Sequence, residues 1–480
     1  MAYPSLNTPL DAARIAALCG GVHYGTGFRA LTVATDSRNL PPGALFVALK
    51  GANYDGADYL AAAKARGAVA AIVSARRDVD LPQIVVNDTL AALTALARDR
   101  RERSRATFIA VTGSNGKTTT KEILQRLLQQ RGQTLATEGN LNNGIGVPLT
   151  LLRLTDEDRY AVIEIGANHP GEIAPLAALV RPDIAVITNT SAAHLAGFGS
   201  LEGVIAAKSE IYATTTTGAI VINLDAPAAA RWREEYRRRP QKKFALDPLK
   251  GADLYASDIS DDGRRFTLHI DAAAYPVAWQ LVGRHNIANA LAAAAAATLA
   301  GISGAQIQAA LNGLALHQSR MTAYRVGAHT VYDDTYNANP ASFKAAIDVI
   351  AGAPHSLVIA GAMGELGERA AAMHREVAAY AAAKNIGGFW AVGGGLANEY
   401  PAIYTAAGQA GGWDDGDGGS GGDAPAARNY PNTQTAGKAL AALLADPATP
   451  PTTILVKGSR AAKMEGVLDA AAIDRTHTTD

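Results

Sequence analysis

The stretch TFIAVTGSNGKTTTKEILQRLLQQRG, residues 107–132, constrains this chain more than any other. A β-branched apolar run stops at Gly113, and Ile123, Leu124, Leu127 and Leu128 then recur at helical spacing. A strand, a tight loop and an amphipathic helix are therefore expected in that order. The loop TGSNGKTTT (112–120) has what a polyphosphate needs. Backbone N–H groups of Gly113, Ser114, Asn115 and Gly116 can wrap an anion, since glycine tolerates the required dihedrals. Lys117 adds a point charge, Thr118 offers a hydroxyl to Mg²⁺, and the helix N-terminus adds its dipole. Val111 stands where the common form of this loop has its first glycine. A nucleoside triphosphate site is expected here.

Strand and helix signals alternate through the rest of the chain, which predicts an α/β fold. At 480 residues, three domains of roughly 150 residues each are expected. The first, 1–104, carries strand candidates ALFVALKG, AVAAIVS and QIVV, and ends in the charged run ARDRRERSRA, read as a solvated helix end and linker. The second, 105–318, adds YAVIEIG, DIAVITN and GAIVINLD to the phosphate-loop strand, predicting a mostly parallel sheet with helices on both faces. The third, 319–480, repeats the pattern with SLVIAGAMG, GFWAVGGG and TTILVKGSR, each running into glycine at the strand end where ligands approach such a sheet. Between the last two, the glycine-rich stretch 408–427 is expected to be a mobile loop.

Composition narrows the function classes. Hydrophobic residues make up 48% and charged ones 18%, which excludes a largely disordered chain. Lys and Arg number 44 against 44 Asp and Glu, so nothing suggests a nucleic-acid partner. Cys19 is the single cysteine, which rules out an internal disulfide, and no Cys/His spacing suggests zinc. The N-terminus has no basic residue before Arg14 and no long apolar core. ANALAAAAAATLAG (288–301) is too short for a membrane span and reads as a buried helix. A cytoplasmic protein without a membrane span is expected.

Further polar residues stand at strand ends and helix starts. Glu164 closes an apolar strand, where a carboxylate either binds Mg²⁺ or accepts structural hydrogen bonds. His194 and Lys208 follow the next strand; taken alone, each reads as a structural or solvated residue. GNLNNGIGVP (139–148) suits either a ligand loop or a cluster of turns. Asn286 and Asn289 share a helix face, able to read an adenine edge or only to solvate an alanine-rich helix. VYDDTYNANP (331–340) gathers Asp333, Asp334, Asn337 and Asn339 before a proline-opened helix, and a polar turn is the plain alternative.

In this order the motifs resemble the Mur ligase family, which extends peptidoglycan precursors by ATP-driven amide formation. The likeness covers nearly the whole chain and is carried by TDSRNLPPGALFVALKG (35–51), TGSNGKTTTKE, GNLNNGIGVP, EIGANHPGEI, HLAGFGSLEGVIAAKSEIY, DDTYNANP and GAMGELGE. It points to the branch that adds D-alanyl-D-alanine to UDP-N-acetylmuramoyl-tripeptide, acting as a monomer. The resemblance implies a small α/β N-terminal domain that binds the UDP substrate, a central ATPase domain and a Rossmann-like C-terminal domain. It further implies that Gly113 to Thr119 hold the ATP phosphates, with Thr118 and Glu164 on one Mg²⁺ and His194 at a second beside Lys208. Several members carbamylate the lysine that aligns with Lys208. Asn289 would contact adenine, with Arg320 and Asp334 meeting the nucleotide from the C-terminal side. Ser37 would take the UDP end, Asn143 would lie near the centre, and Asn337 and Asn339 would line the substrate site. The alternatives are a sibling ligase, a folylpolyglutamate synthetase, or a nucleotide-dependent switch with no ligation.

Overall fold

Side-chain alternation in the phosphate-loop strand, Thr107–Thr112, decides how the central layers stack. Phe108 and Ala110 join one core cluster, while Ile109 and Val111 join another on the opposite face. The second cluster holds Ile123, Leu124, Leu127 and Leu128 of the helix Lys117–Leu128, all fully buried, as their spacing predicts. It also holds Ala290–Ala297 of the helix Arg284–Leu299, so the alanine run is a buried helix. The computed structural model describes residues 5–51, 54–191, 195–215, 217–316, 319–406 and 427–475. His194 and all of the stretch 408–427 except Ala427 lie outside the described residues.

Three mostly parallel sheets organise the chain. The first has six strands, in the order Ser5–Asp11, Arg29–Ala34, Ala44–Val47, Ala70–Val73, Gln83–Val85 and Val22–Tyr24, antiparallel only at its two edges. The central sheet has nine strands. In it, Thr107–Thr112 lies between Tyr160–Glu164 and Ile184–Ile187, parallel to both. Chain order reverses there, so the loop after Gly113 opens into the crevice where such sheets bind ligands. The third sheet has six strands, with His329–Asp334 beside Thr453–Lys457 in parallel register.

The central sheet is mostly parallel, as expected, and one other expectation changes. The central sheet's parallel part ends at Leu254–Ser257, beyond which Arg265–Ile270 and Ala273–Ala278 are added antiparallel. Leu254–Ser257 and Arg265–Ile270 alternate buried with accessible positions and Ala273–Ala278 buries only Val277, so no apolar run announces these strands. The charged run ARDRRERSRA is not simply a solvated end. Arg100 Nε donates to the Leu154 carbonyl (2.7 Å), and Arg101 donates to those of Val180 (2.6 Å) and Arg181 (2.9 Å). The Arg101 guanidinium lies 3.6 Å from the Phe108 ring centroid, and its burial pushes its pKa down to about 10. These side chains satisfy carbonyls at the ends of two central helices and fasten the helix Thr89–Arg103 to the central layer.

The third sheet's layer packs directly on the central one. Phe198, Val204 and Ala207 share a core cluster with Met321, Phe343, Met363 and Leu366. Among the described residues, no helix is long and apolar enough to cross a membrane.

Candidate active site

The phosphate loop is shaped by two glycines that no other residue could replace. Gly113 (φ +150°) is so close to Thr188 that a Cβ would lie 2.0 Å from the Thr188 hydroxyl. Gly116 is left-handed (φ +77°), and a Cβ there would lie 2.1 Å from Asn289 Oδ1. The end of the neighbouring strand ties the loop down. Ser114 N–H donates to the Asn189 carbonyl (3.0 Å), Asn115 N–H to Asn189 Oδ1 (3.1 Å), and Thr188 Oγ1 to the Asn115 carbonyl (2.6 Å). Lys117 Nζ folds onto its own loop, donating to the Gly113 carbonyl at 2.8 Å. Desolvation, with Arg320 nearby, lowers its pKa, while Glu164 opposes the shift.

Glu164 stands at the strand end, opposite Val111 in register, and is 1% exposed. Its Oε1 accepts from Asn142 Nδ2 (2.8 Å). Its Oε2 is buried without a hydrogen-bond partner among the described residues. An orphaned carboxylate oxygen beside a phosphate loop suits a hard cation. The Thr118 hydroxyl lines the same cavity and offers a neutral oxygen beside that carboxylate, so the residues present fit Mg²⁺. Among the described residues, no group of three or more His, Cys, Asp or Glu is gathered for a metal. That suits an ion held by few protein oxygens and completed by phosphate and water.

The third sheet adds its own groups. Arg320 Nη2 donates to Thr118 Oγ1 (3.1 Å), and its guanidinium stacks 3.9 Å from the Tyr336 ring centroid. Asn339 Nδ2 donates to Asn115 Oδ1 (2.6 Å). Asp334 and Lys457 are register partners on adjacent parallel strands, so both reach the same sheet edge. Lys457 Nζ binds Asp334 Oδ2 and donates to the Asn337 carbonyl at 2.9 Å.

These groups line one cavity of about 1060 Å³. It holds Ser114 to Thr119, Asn143, Glu164 and Asn289 from the central layer, and Arg320, Asp334, Asn337 and Asn339 from the third. Asn143 Oδ1 also caps a helix, accepting from Ile145 N–H (3.1 Å) and Gly146 N–H (2.9 Å). Asn289 Nδ2 donates to Asn286 Oδ1 (3.3 Å), whose own amide donates to the Val282 carbonyl (2.8 Å). Ser37 stands apart, buried at the start of a short helix in the first sheet's layer. Lys208 is 1% exposed and does not line the cavity; its Nζ lies 5.1 Å from the Phe198 ring centroid. Burial, with Lys117 nearby, pushes its pKa down to about 7.

Sequence reasoning missed Asn142, Asn189 and Lys457. Lys457 ends an apolar strand just as Glu164 does, and that signal was available. Asn142 and Asn189 sit in amide-rich segments where nothing local distinguishes one asparagine from its neighbours.

Family models match along the chain: Mur ligase family, catalytic domain, over 32–112; Mur ligase middle domain over 111–297; and Mur ligase, glutamate ligase domain, over 319–460. The UDP-N-acetylmuramoyl-tripeptide–D-alanyl-D-alanine ligase of Escherichia coli is 41% identical over 443 residues, covering 91% of this chain and 93% of its own. A crystal structure of MurF from Acinetobacter baumannii superposes with a TM-score of 0.85 at 32% identity, covering 97% of this chain and 99% of that one. The MurF ligase of Thermotoga maritima in complex with ADP gives a TM-score of 0.77 at 26% identity, covering 92% and 96%. With a phosphate loop, an orphaned carboxylate oxygen and cations from two layers meeting in one cavity, this chain belongs to the Mur ligase family.

Proposed function

We propose that this chain is an ATP-dependent ligase that joins D-alanyl-D-alanine to UDP-N-acetylmuramoyl-tripeptide in peptidoglycan precursor synthesis. The observation that carries the reading is the single cavity in which the phosphate loop faces Arg320, Asp334 and Lys457 of the third sheet. A reaction that must bring together a nucleotide, a carboxylate and an amine needs such a meeting point.

The tripeptide's terminal carboxylate attacks the γ-phosphate, giving an acyl phosphate and ADP. The free amine of D-alanyl-D-alanine then attacks the acyl carbon, and phosphate leaves. Positioning and charge neutralisation supply most of the acceleration in chemistry of this kind. Gly113 to Thr119 cradle the phosphates, and Lys117 leaves its loop carbonyls to neutralise the γ-phosphate. Arg320 approaches from the opposite wall, guided by its stacking on Tyr336. Thr118 and Glu164 would hold Mg²⁺, which when bound withdraws charge from the phosphate oxygens. Asn289 and Asp334 serve the nucleoside end, Ser37 takes the UDP end, and Asn143, Asn337 and Asn339 border the acceptor.

Lys208 and His194 belong to a second Mg²⁺ site in this reading. Burial lowers the Lys208 pKa and so favours the neutral amine, the form that reacts with CO₂ to give a carbamate. That modification replaces a repelling ammonium with oxygen donors.

Phosphate release from ATP with the UDP-tripeptide, with and without D-alanyl-D-alanine, tests the assignment. Release that depends on the dipeptide, with a matching amide product, is expected. Hydrolysis indifferent to both acceptors would favour a nucleotide switch instead.

A further inference from the structure

Glu164 presents two oxygens in different circumstances. Oε2 is buried and unpartnered among the described residues, while Oε1 accepts from Asn142 Nδ2 at 2.8 Å. An ionised carboxylate only accepts, so the nitrogen side of the Asn142 amide must face it. We propose that Asn142 is a positioning residue: it occupies Oε1, fixes the plane of the Glu164 carboxylate, and leaves Oε2 as the oxygen offered to the divalent cation. This rests on the reading of Glu164 as a metal ligand.

The surroundings of Asn142 are built to hold it there. Its carbonyl accepts from Gly166 N–H (2.8 Å), linking the 139–146 turn to the segment just beyond Glu164. Gly166 packs against the amide so closely that a Cβ would lie 2.9 Å from both Asn142 Cγ and Oδ1. On the other side, a Cβ on Gly146 would lie 2.4 Å from Leu141 Cα, which fixes the turn immediately before Asn142. The Glu164 backbone is held as well, its N–H donating to Thr137 Oγ1 at 3.0 Å. Both the strand end and the carboxylate are therefore set before any ion arrives. Partners that orient a metal ligand typically change metal affinity about 10- to 100-fold when removed.

Binding of Mn²⁺ to the full chain with ADP present, followed by the electron paramagnetic resonance of free Mn²⁺, tests this without relying on turnover. Asn142→Ala should weaken Mn²⁺ binding at least about 10-fold, with ADP affinity in the absence of metal unchanged. Gly166→Ala should displace the amide from outside and weaken Mn²⁺ binding too, but add little in the Asn142→Ala background, where the crowded group is gone. Glu164→Gln separates the two layers of the argument. If it loses Mn²⁺ affinity while Asn142→Ala stays within twofold of the parent, the positioning role is overturned and the ligand role stands. If Glu164→Gln itself keeps full affinity, the ligand role falls and this inference with it. Additive losses from Gly166→Ala and Asn142→Ala would overturn the coupling through the amide. Should Asn142→Ala fail to fold, Gly166→Ala alone decides, and unchanged affinity there counts against the proposal.

Discussion

Asn339 donates its side-chain amide to Asn115 Oδ1 over 2.6 Å, although 224 positions separate them in sequence. Its own Oδ1 accepts from Ser342 N–H at 2.9 Å and caps the helix Pro340–Ile350. One side chain thus starts a helix of the third layer and grips the phosphate loop. Asn339→Ser separates these roles, because serine caps helices about as well as asparagine but is too short to reach Asn115. Stability should change by less than about 0.5 kcal/mol, while kcat/KM for ATP falls about 3- to 10-fold, the range of one neutral hydrogen bond. Thermal unfolding and steady-state kinetics check both halves. An unchanged kcat/KM would show that the contact has no part in turnover.

Lys117→Ala should leave the fold intact and lower kcat by at least about 100-fold. The hydrogen bonds of the lysine are to carbonyls of its own loop, Gly113 and Ser114, so little tertiary structure depends on it. In the proposed reaction, by contrast, the γ-phosphate would lose a neutralising cation. Near-parental turnover in a variant with the parental melting temperature would remove this lysine from the chemistry.

Lys208→Ala distinguishes three roles for a lysine that is 1% exposed. Alanine keeps the helix Leu201–Thr214, being the stronger helix former. If the lysine works as a carbamate, activity is lost and formate or acetate restores part of it by supplying oxygens. A cationic role would be rescued by small amines instead, and a purely structural one by neither. Rate measurements with each additive separate these outcomes.

His374 predicts an acid-side loss of stability. It is fully buried; Met363 N–H donates to its Nε2 (2.9 Å), and its Nδ1 faces the Ala370 carbonyl (2.7 Å). The neutral ring with its proton on Nδ1 satisfies both partners, and desolvation lowers the pKa. Below pH about 6.5 the unfolded chain takes up a proton that the native state refuses, so stability falls as pH drops through that window. His374→Leu should cost about 1–3 kcal/mol at neutral pH by orphaning the Met363 N–H. That gap should narrow toward pH 5 in urea titrations; a constant gap would show that this ring does not govern the acid limb.

Local chemistry made much of the fold legible. The apolar runs at 107–113 and 160–166, which end in glycine, and at 183–189, which ends in Asn189, are strands because hydrophobic periodicity and turn-forming residues act within a few positions. The phosphate loop was readable for the same reason, since Gly113, Gly116 and Lys117 act on a phosphate together whatever surrounds them. The half-exposed strands between Leu254 and Ala278 were not, because alternation in a short polar stretch is weak evidence until a neighbouring strand pairs with it.

The sequence by itself determined that a triphosphate loop follows a central strand and that Glu164 ends the strand beside it. Which oxygen of Glu164 is free, that Asn142 and not Asn143 holds the other, and that Asn339 reaches Asn115 were decided only by the tertiary structure. A hydrogen bond between distant residues depends on strand order, on register such as Asp334 opposite Lys457, and on the packing of the third layer against Phe198. Those are set by the burial of the whole core, and no short window of sequence contains them.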